Sequence, residues 1–130
     1  MLVIDASVAI TAALDPAGFR PIADRHLVAP RLLWSEACSI LREMSWRAEI
    51  SPELGRLALD ALLAAPIRRR DPPSLPARAW RVAETLGWAK TYDAEYVALA
   101  QALACPLLTR DARLQRGVQG LVPVLGPGEL

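Results

Sequence analysis

Four carboxylates stand in this chain where strands end or helices begin. They are Asp5 in LVIDASV, Glu36 in PRLLWSEACSIL, Asp93 in KTYDAEYVALA and Asp111 in PLLTRDARL, and three of the four sit among apolar residues with the pattern of a core. An ionised carboxylate is costly to bury and is rarely left unpaired. Several meeting at one place repel each other unless protons or a cation intervene. All-oxygen donors suit a hard divalent ion, Mg²⁺ or Mn²⁺, and such ions serve phosphate chemistry. Other chemistries lack their residues. There is no GxxxxGK[ST] loop and no GxGxxG turn to cradle a nucleotide. His26 is the only histidine and stands beside Leu27 and Val28, which reads as structural; no partner motif for serine hydrolysis and no zinc-type cluster accompanies it. Cys38 and Cys105 have no CxxC spacing and read as reduced core thiols of a cytosolic protein.

The elements that must carry these acids alternate. Leu2 to Ile4 is a short continuous apolar run, as in a buried parallel strand. Ser7 to Leu14 reads as a helix closed by Asp15-Pro16 and Gly18, residues 21–26 as a further helical turn, and His26 to Ala29 as a second strand. A helix is predicted from Leu32 to Ala48, with Leu33, Ala37, Ile40, Leu41, Met44 and Ala48 on its apolar face. Ser51 and Pro52 cap and open another, with Leu54, Leu57, Ala58, Ala61 and Leu62 inward, ended by Pro66. Ile67 to Arg70 reads as a short strand. A helix follows from Ser74 to Leu86 with Gly87 as its stop, and another runs from Thr91 to Ala104. Pro106 to Thr109 and Leu121 to Leu125 are strands around a helical turn at Arg110 to Gln115, and the tail GPGEL is expected to fray. The alternation argues for an α/β fold, a three-layer α/β/α sandwich on a mostly parallel sheet, as one domain over residues 1–130.

In such sheets ligands collect outside the carboxyl ends of the strands. Asp5 ends the first strand and Asp111 follows the late strand Leu107-Leu108, so both belong at that edge. Glu36 and Asp93 lie near helix N-termini, which face the same edge and favour a carboxylate. Asp93 heads a helical stripe of Tyr96, Val97, Ala100, Leu103 and Ala104 that should pack inward.

Bulk composition narrows the field. The 130 residues are 53% hydrophobic, enough for a single core and too apolar for disorder. A formal net charge of +1 gives no global field for a polyanion, so any nucleic-acid binding must be local. The N-terminus MLVIDAS has no charged leader, and no run reaches membrane-spanning length, so a soluble cytoplasmic protein with no membrane partner is expected. Lys90 is the only lysine; it and Arg110 flank the acidic motifs and are the first candidates for phosphate contacts. Arg68 to Arg70 read first as a solvated strand edge. Trp34, Trp46, Trp80 and Trp88 suit a core or a partner surface, and Trp80 is assigned to the core first.

With these pieces in place, the chain resembles a PIN domain, and in particular the VapC ribonuclease toxins of bacterial toxin–antitoxin pairs. The resemblance rests on VIDASV, on Pro30 to Glu36 as P-x-L-L-x-x-E with Arg31 between Pro30 and Leu32, on YDAEYVALA and on LLTRDARL, and it spans nearly the whole chain. It implies a PIN-like fold and a site of Asp5, Glu36, Asp93 and Asp111 that binds one or two Mg²⁺ or Mn²⁺ ions and cuts RNA to leave a 5′-phosphate. It also implies a homodimer and a cognate VapB-type antitoxin, and a cleft at a sheet edge suits a single-stranded or tRNA-like RNA substrate rather than a duplex. Ser7 and Thr109 match positions where the family carries hydroxyls beside the acids; they either hold a metal-bound water or cap local turns. Two related readings keep the fold: a PIN nuclease of RNA maturation or decay, and a catalytically silent binding module, which would have no need to keep four acids. A phosphotransfer receiver domain would want paired acids after the first strand and a lysine after a late strand, whereas Asp5 stands alone and Lys90 precedes a helix.

Overall fold

A computed structural model describes residues 1–130. Its strands are β1 (Leu2–Ile4), β2 (Leu27–Ala29), β3 (Ile67–Arg69), β4 (Leu107–Leu108) and β5 (Val124–Leu125). They form one sheet in the order β3-β2-β1-β4-β5, with every pairing parallel. β1, β2 and β4 are buried throughout, which explains their unbroken apolar sequences. β3 lies at the edge, and Arg68 and Arg69 are exposed there, where charge discourages pairing with a further strand.

The helices are α1 (Ala6–Leu14), α2 (Leu32–Trp46), α3 (Pro52–Leu63), α4 (Leu75–Leu86), α5 (Tyr92–Leu103) and α6 (Ala112–Gly117). Right-handed crossovers decide their sides. From β1 to β3 the chain steps one way across the sheet; from β3 to β5 it steps back. The first three helices therefore cover one face and the last three the other. The packing agrees: α1, α2 and α3 touch one another, while α4 packs on α5, which lies against β1 and β4. α5 can sit there because Ala94, Ala98 and Ala100 are small and fully buried. The strand order reverses between β1 and β4, so the crevice beyond their carboxyl ends is the topological switch point of the sheet.

Several expectations need correction. α2 stops at Trp46, because Ala48 adopts a left-handed conformation (φ 59°) and cannot continue it. Ile40 and Ala48 are exposed, as are Leu54 and Leu57 on α3, so the apolar faces of these helices are broader than the core they meet. Trp80 is 64% exposed: the stripe Leu75, Ala79, Val82 and Ala83 buries α4, and Trp80 falls one residue outside it. β5 covers only Val124 and Leu125, since residues 118–122 form turn and bend. The tail is ordered by a 3₁₀ turn at Pro127–Glu129, where the Glu129 carboxylate accepts the Gly126 N–H at 2.9 Å. Gly87 does end α4, with φ 70°.

Ala104 plays the same stopping role after α5 with the wrong residue. Its φ is 50°, and the Cys105 N–H reaches back to the Ala100 carbonyl at 3.1 Å. A Cβ in that region is strained by about 1 kcal/mol. Ala104→Gly should relieve it and raise the melting temperature by roughly 4 °C, measured by circular dichroism; an unchanged or lower midpoint would contradict the strain.

Candidate active site

Asp5 follows β1 directly and caps α1, its Oδ1 accepting the Val8 N–H at 3.2 Å. It is only 5% exposed. Two hydroxyls surround it. Ser7 Oγ donates to Asp5 Oδ1 at 2.6 Å and accepts the Arg110 N–H at 3.1 Å. Thr109, fully buried, donates to Asp5 Oδ2 and accepts the Asp111 N–H at 3.0 Å. Each hydroxyl thus faces both ways, joining the β1 carboxylate to the backbone that leaves β4. Gln115 fixes the same turn, donating from Nε2 to the Thr109 carbonyl at 2.9 Å. No buried side-chain polar atom is left without a partner.

The other three acids line one cleft of about 610 Å³, shared with Trp88, Lys90 and Arg113. Glu36 is half-buried on α2, one turn above its N-terminus, and Tyr96 Oη donates to its Oε1 at 2.9 Å. Asp93 is the second residue of α5. Asp111 caps α6, its Oδ1 accepting the N–H groups of Arg113 at 2.8 Å and Leu114 at 3.4 Å. The Arg113 guanidinium lies 3.5 Å from Asp111 Oδ2.

The four carboxyls sense each other. Burial raises Asp5 above the usual carboxylate range against the pull of its hydroxyl and N–H donors, and Asp111 adds to the rise. Glu36 is raised by burial, then by Asp93 and Asp5, with the Tyr96 hydrogen bond opposing. Asp93 is raised by burial, Asp5 and Asp111. Asp111 goes the other way: burial pushes it up, but the Arg113 and Leu114 N–H groups and the Arg113 side chain outweigh that and hold it low. The phenol of Tyr96 is driven far up by burial and by Glu36, so it remains a hydrogen-bond donor.

No three of these carboxylates converge closely enough to form a ready-made cage for an ion. Mg²⁺ does not require one: it keeps several waters and is held by one or two carboxylates together with substrate phosphate. The donor set, oxygen throughout with charges that repel until neutralised, fits such an ion. Asp5 Oδ2 and Asp93 have acceptor capacity to spare for it.

The remaining sequence candidates divide. Lys90 lines the acidic cleft, whereas the Arg110 side chain lines a separate cavity beside Val8, Thr11 and Asp15; the arginine in the cleft is Arg113. Ser7 and Thr109 bond to Asp5 itself. Tyr96 was legible only as a core position, because its hydroxyl partner lies sixty residues away in sequence. A fifth acid, Glu95, is half-buried two residues past Asp93 and is raised by burial, then by Asp71 and Glu36. In sequence it resembled any first-turn acid.

Thr109→Val removes a donor and an acceptor inside the core. It should cost about 1–3 kcal/mol, read from urea unfolding, with Thr109→Ser retaining most of the stability; equal behaviour of the two variants would show the hydroxyl to be idle. The raised acids also carry a pH sign. A carboxyl whose folded pKa exceeds its unfolded value favours folding at low pH, and that advantage is lost as pH rises through the folded pKa. In chelator at pH 7, Asp93→Asn should therefore melt above wild type, and the difference should shrink as pH falls toward 4. A gain that is constant across this range would rule out the charge explanation.

The comparisons with known proteins follow the same lines. The PIN domain family pattern matches residues 2–118. Ribonuclease VapC9 of Mycobacterium tuberculosis is 38% identical over 125 residues, covering 95% of this chain and 96% of its own. Ribonuclease VapC1 of the same organism is 42% identical over 120 residues, covering 86% of each. The crystal structure of PAE2754 from Pyrobaculum aerophilum superposes with a TM-score of 0.74 over 94% of this chain and 89% of that one, at 22% identity, a likeness of fold. The reversing parallel sheet, the acids around its switch point and these relatives agree, and the chain belongs to the PIN-domain family, among the VapC ribonucleases.

Proposed function

We propose that this chain is a divalent-metal-dependent endoribonuclease that cuts single-stranded RNA or tRNA-like loops and serves as the toxin of a toxin–antitoxin pair. The observation that carries the reading is the locked carboxylate Asp5 at the switch point, with Glu36, Asp93 and Asp111 around the adjoining cleft. Bound Mg²⁺ or Mn²⁺ would supply the positive charge that polarises a phosphodiester and makes a water acidic enough to attack at neutral pH. Asp5 and Asp93 are the first residues to hold it, with Glu36 and Asp111 completing the set. The protein's own part is positional. Ser7, Thr109 and the α1 N-terminus leave Asp5 no freedom to swing. Tyr96 orients Glu36. Lys90 and Arg113 offer phosphate contacts beside the acids. Attack by water leaves a 5′-phosphate and a 3′-hydroxyl.

A cognate VapB-type antitoxin is the proposed partner, with a homodimer as the working assembly. Support for a partner comes from the opposite layer. Between α2 and α3 lies a groove of about 650 Å³ floored by Leu41 and Leu59 and flanked by Arg42 and Arg56. It is narrow at its base because Gly55 lets α3 approach Ser45, where a Cβ would sit 3.3 Å from the serine side chain. Ile40 and Leu57 on the same two helices are exposed, and a partner helix could cover them.

The test is cleavage of total RNA by purified protein with Mg²⁺ or with chelator, followed by mapping of the new ends. Asp5→Asn retains an acceptor for the α1 cap and Asp93→Asn an amide at the cleft, so both should fold and both should lose cleavage. Wild type should produce 5′-phosphate ends only when the ion is present. Cleavage that survives both substitutions, or survives chelation, would end the proposal.

A further inference from the structure

Beside the acids, the cleft is walled by the segment joining α4 to α5, and that segment carries two aromatic rings. Trp88 and Tyr92 both line the cleft, with Lys90 between them in sequence. Neither ring is there by accident of a loose loop. Trp88 ends a helix-stop turn in which Gly87 is left-handed, the Gly87 N–H reaches the Glu84 carbonyl at 3.3 Å and the Trp88 N–H reaches the Ala83 carbonyl at 2.8 Å. Its backbone is therefore fixed to α4. It is half-buried, packs against the core and lines the cleft. Tyr92 opens α5 immediately before Asp93 and is 55% exposed, so core packing does not account for its ring.

Flat aromatic surfaces beside cations are the chemistry of single-strand recognition. Every base has a face that can stack, whereas a base inside a duplex has none to offer. Lys90 and Arg113 supply charge for the flanking phosphates. We infer that Trp88 and Tyr92 form a stacking subsite for an unpaired nucleobase next to the phosphate that is cut, a reading that rests on the ribonuclease function proposed above. The subsite selects for unpaired structure and is tolerant of base identity.

The experiment uses a short single-stranded oligoribonucleotide spanning a mapped cleavage site. Companion substrates carry an abasic residue at each position flanking that site, and a further one is annealed to its complement. Trp88→Ala and Tyr92→Ala should raise KM for the intact strand by about fivefold or more with kcat changed less than about twofold. Trp88→Phe and Tyr92→Phe should restore KM. With the abasic residue at the stacked position, wild type and the alanine variants should converge, and the duplex should be cut poorly by all of them. Should Trp88→Ala fail to fold, exposed Tyr92 and the phenylalanine variants still decide the matter. An unchanged KM in Tyr92→Ala, or the same loss on intact and abasic strands, overturns the subsite. Asp5→Asn separates the two levels: if it still cleaves, the nuclease reading fails; if it is silent while the alanine variants keep wild-type KM, only the stacking subsite fails.

Discussion

One buried carboxylate governs the arrangement of this molecule. Asp5 is nearly inaccessible, and burial alone would favour its neutral form. It is made tolerable by three donors that come from two different places in the chain: Ser7 and the Val8 N–H from α1, and Thr109 from the end of β4. Those same hydroxyls accept backbone N–H groups of Arg110 and Asp111. The network therefore ties the two central strands together at the point where the sheet reverses direction, and it delivers Asp111 to the α6 N-terminus beside it. Without Asp5 the two hydroxyls would lose their acceptor, and without the hydroxyls the carboxylate would be an unpaired buried charge. Fold and site are built from one set of hydrogen bonds.

The other acids follow a different logic. Asp111 is electrostatically content, capping a helix and facing Arg113. Asp5, Glu36 and Asp93 are each raised, first by burial and then by a neighbouring acid: Asp111 for Asp5, Asp93 and Asp5 for Glu36, Asp5 and Asp111 for Asp93. This repulsion lowers the stability of the metal-free protein at neutral pH, and packing elsewhere must offset it. Acids kept together at such a cost have a use for the charge. A bound divalent ion would turn the same repulsion into affinity and reverse the sign of the field that a phosphodiester meets.

How much of this could be read from the sequence depends on the range of the interaction. The strands of the centre were legible because burial on both faces leaves an unbroken apolar signature in LVI, LVA and LL. The placing of Asp5 and Asp111 at one edge was legible because strand ends in parallel sheets share it. Glu36 and Asp93 followed from helix starts. What escaped was side-chain direction across long separations. Tyr96 belonged to an inward stripe, and nothing local distinguished a core tyrosine from one that donates to Glu36. Arg110 and Arg113 are three residues apart, yet the tight turn after β4 sends the first to another cavity and the second to the cleft. Trp80 was misassigned because residue type outweighed phase: the buried stripe of α4 simply passes beside it. The broad apolar faces of α2 and α3 misled for a similar reason, since periodicity reports a face that avoids water without saying whether the chain itself covers it.

The near-neutral charge of the chain constrains how RNA could be held. With a formal net charge of +1 there is little long-range attraction, and the cleft offers only Lys90 and Arg113 among three carboxylates. Each phosphate contact releases few counterions, so two cations supply a small electrostatic share of affinity. On the proposed function the rest would come from a bound divalent ion and from contacts that carry no charge. The only uncharged surfaces of suitable shape at the cleft wall are the two aromatic rings of the α4–α5 junction. On the proposed function, a site organised in this way would bind weakly to paired RNA, whose phosphates it would barely attract and whose bases it could not reach. It would gain its hold only where a strand is already open.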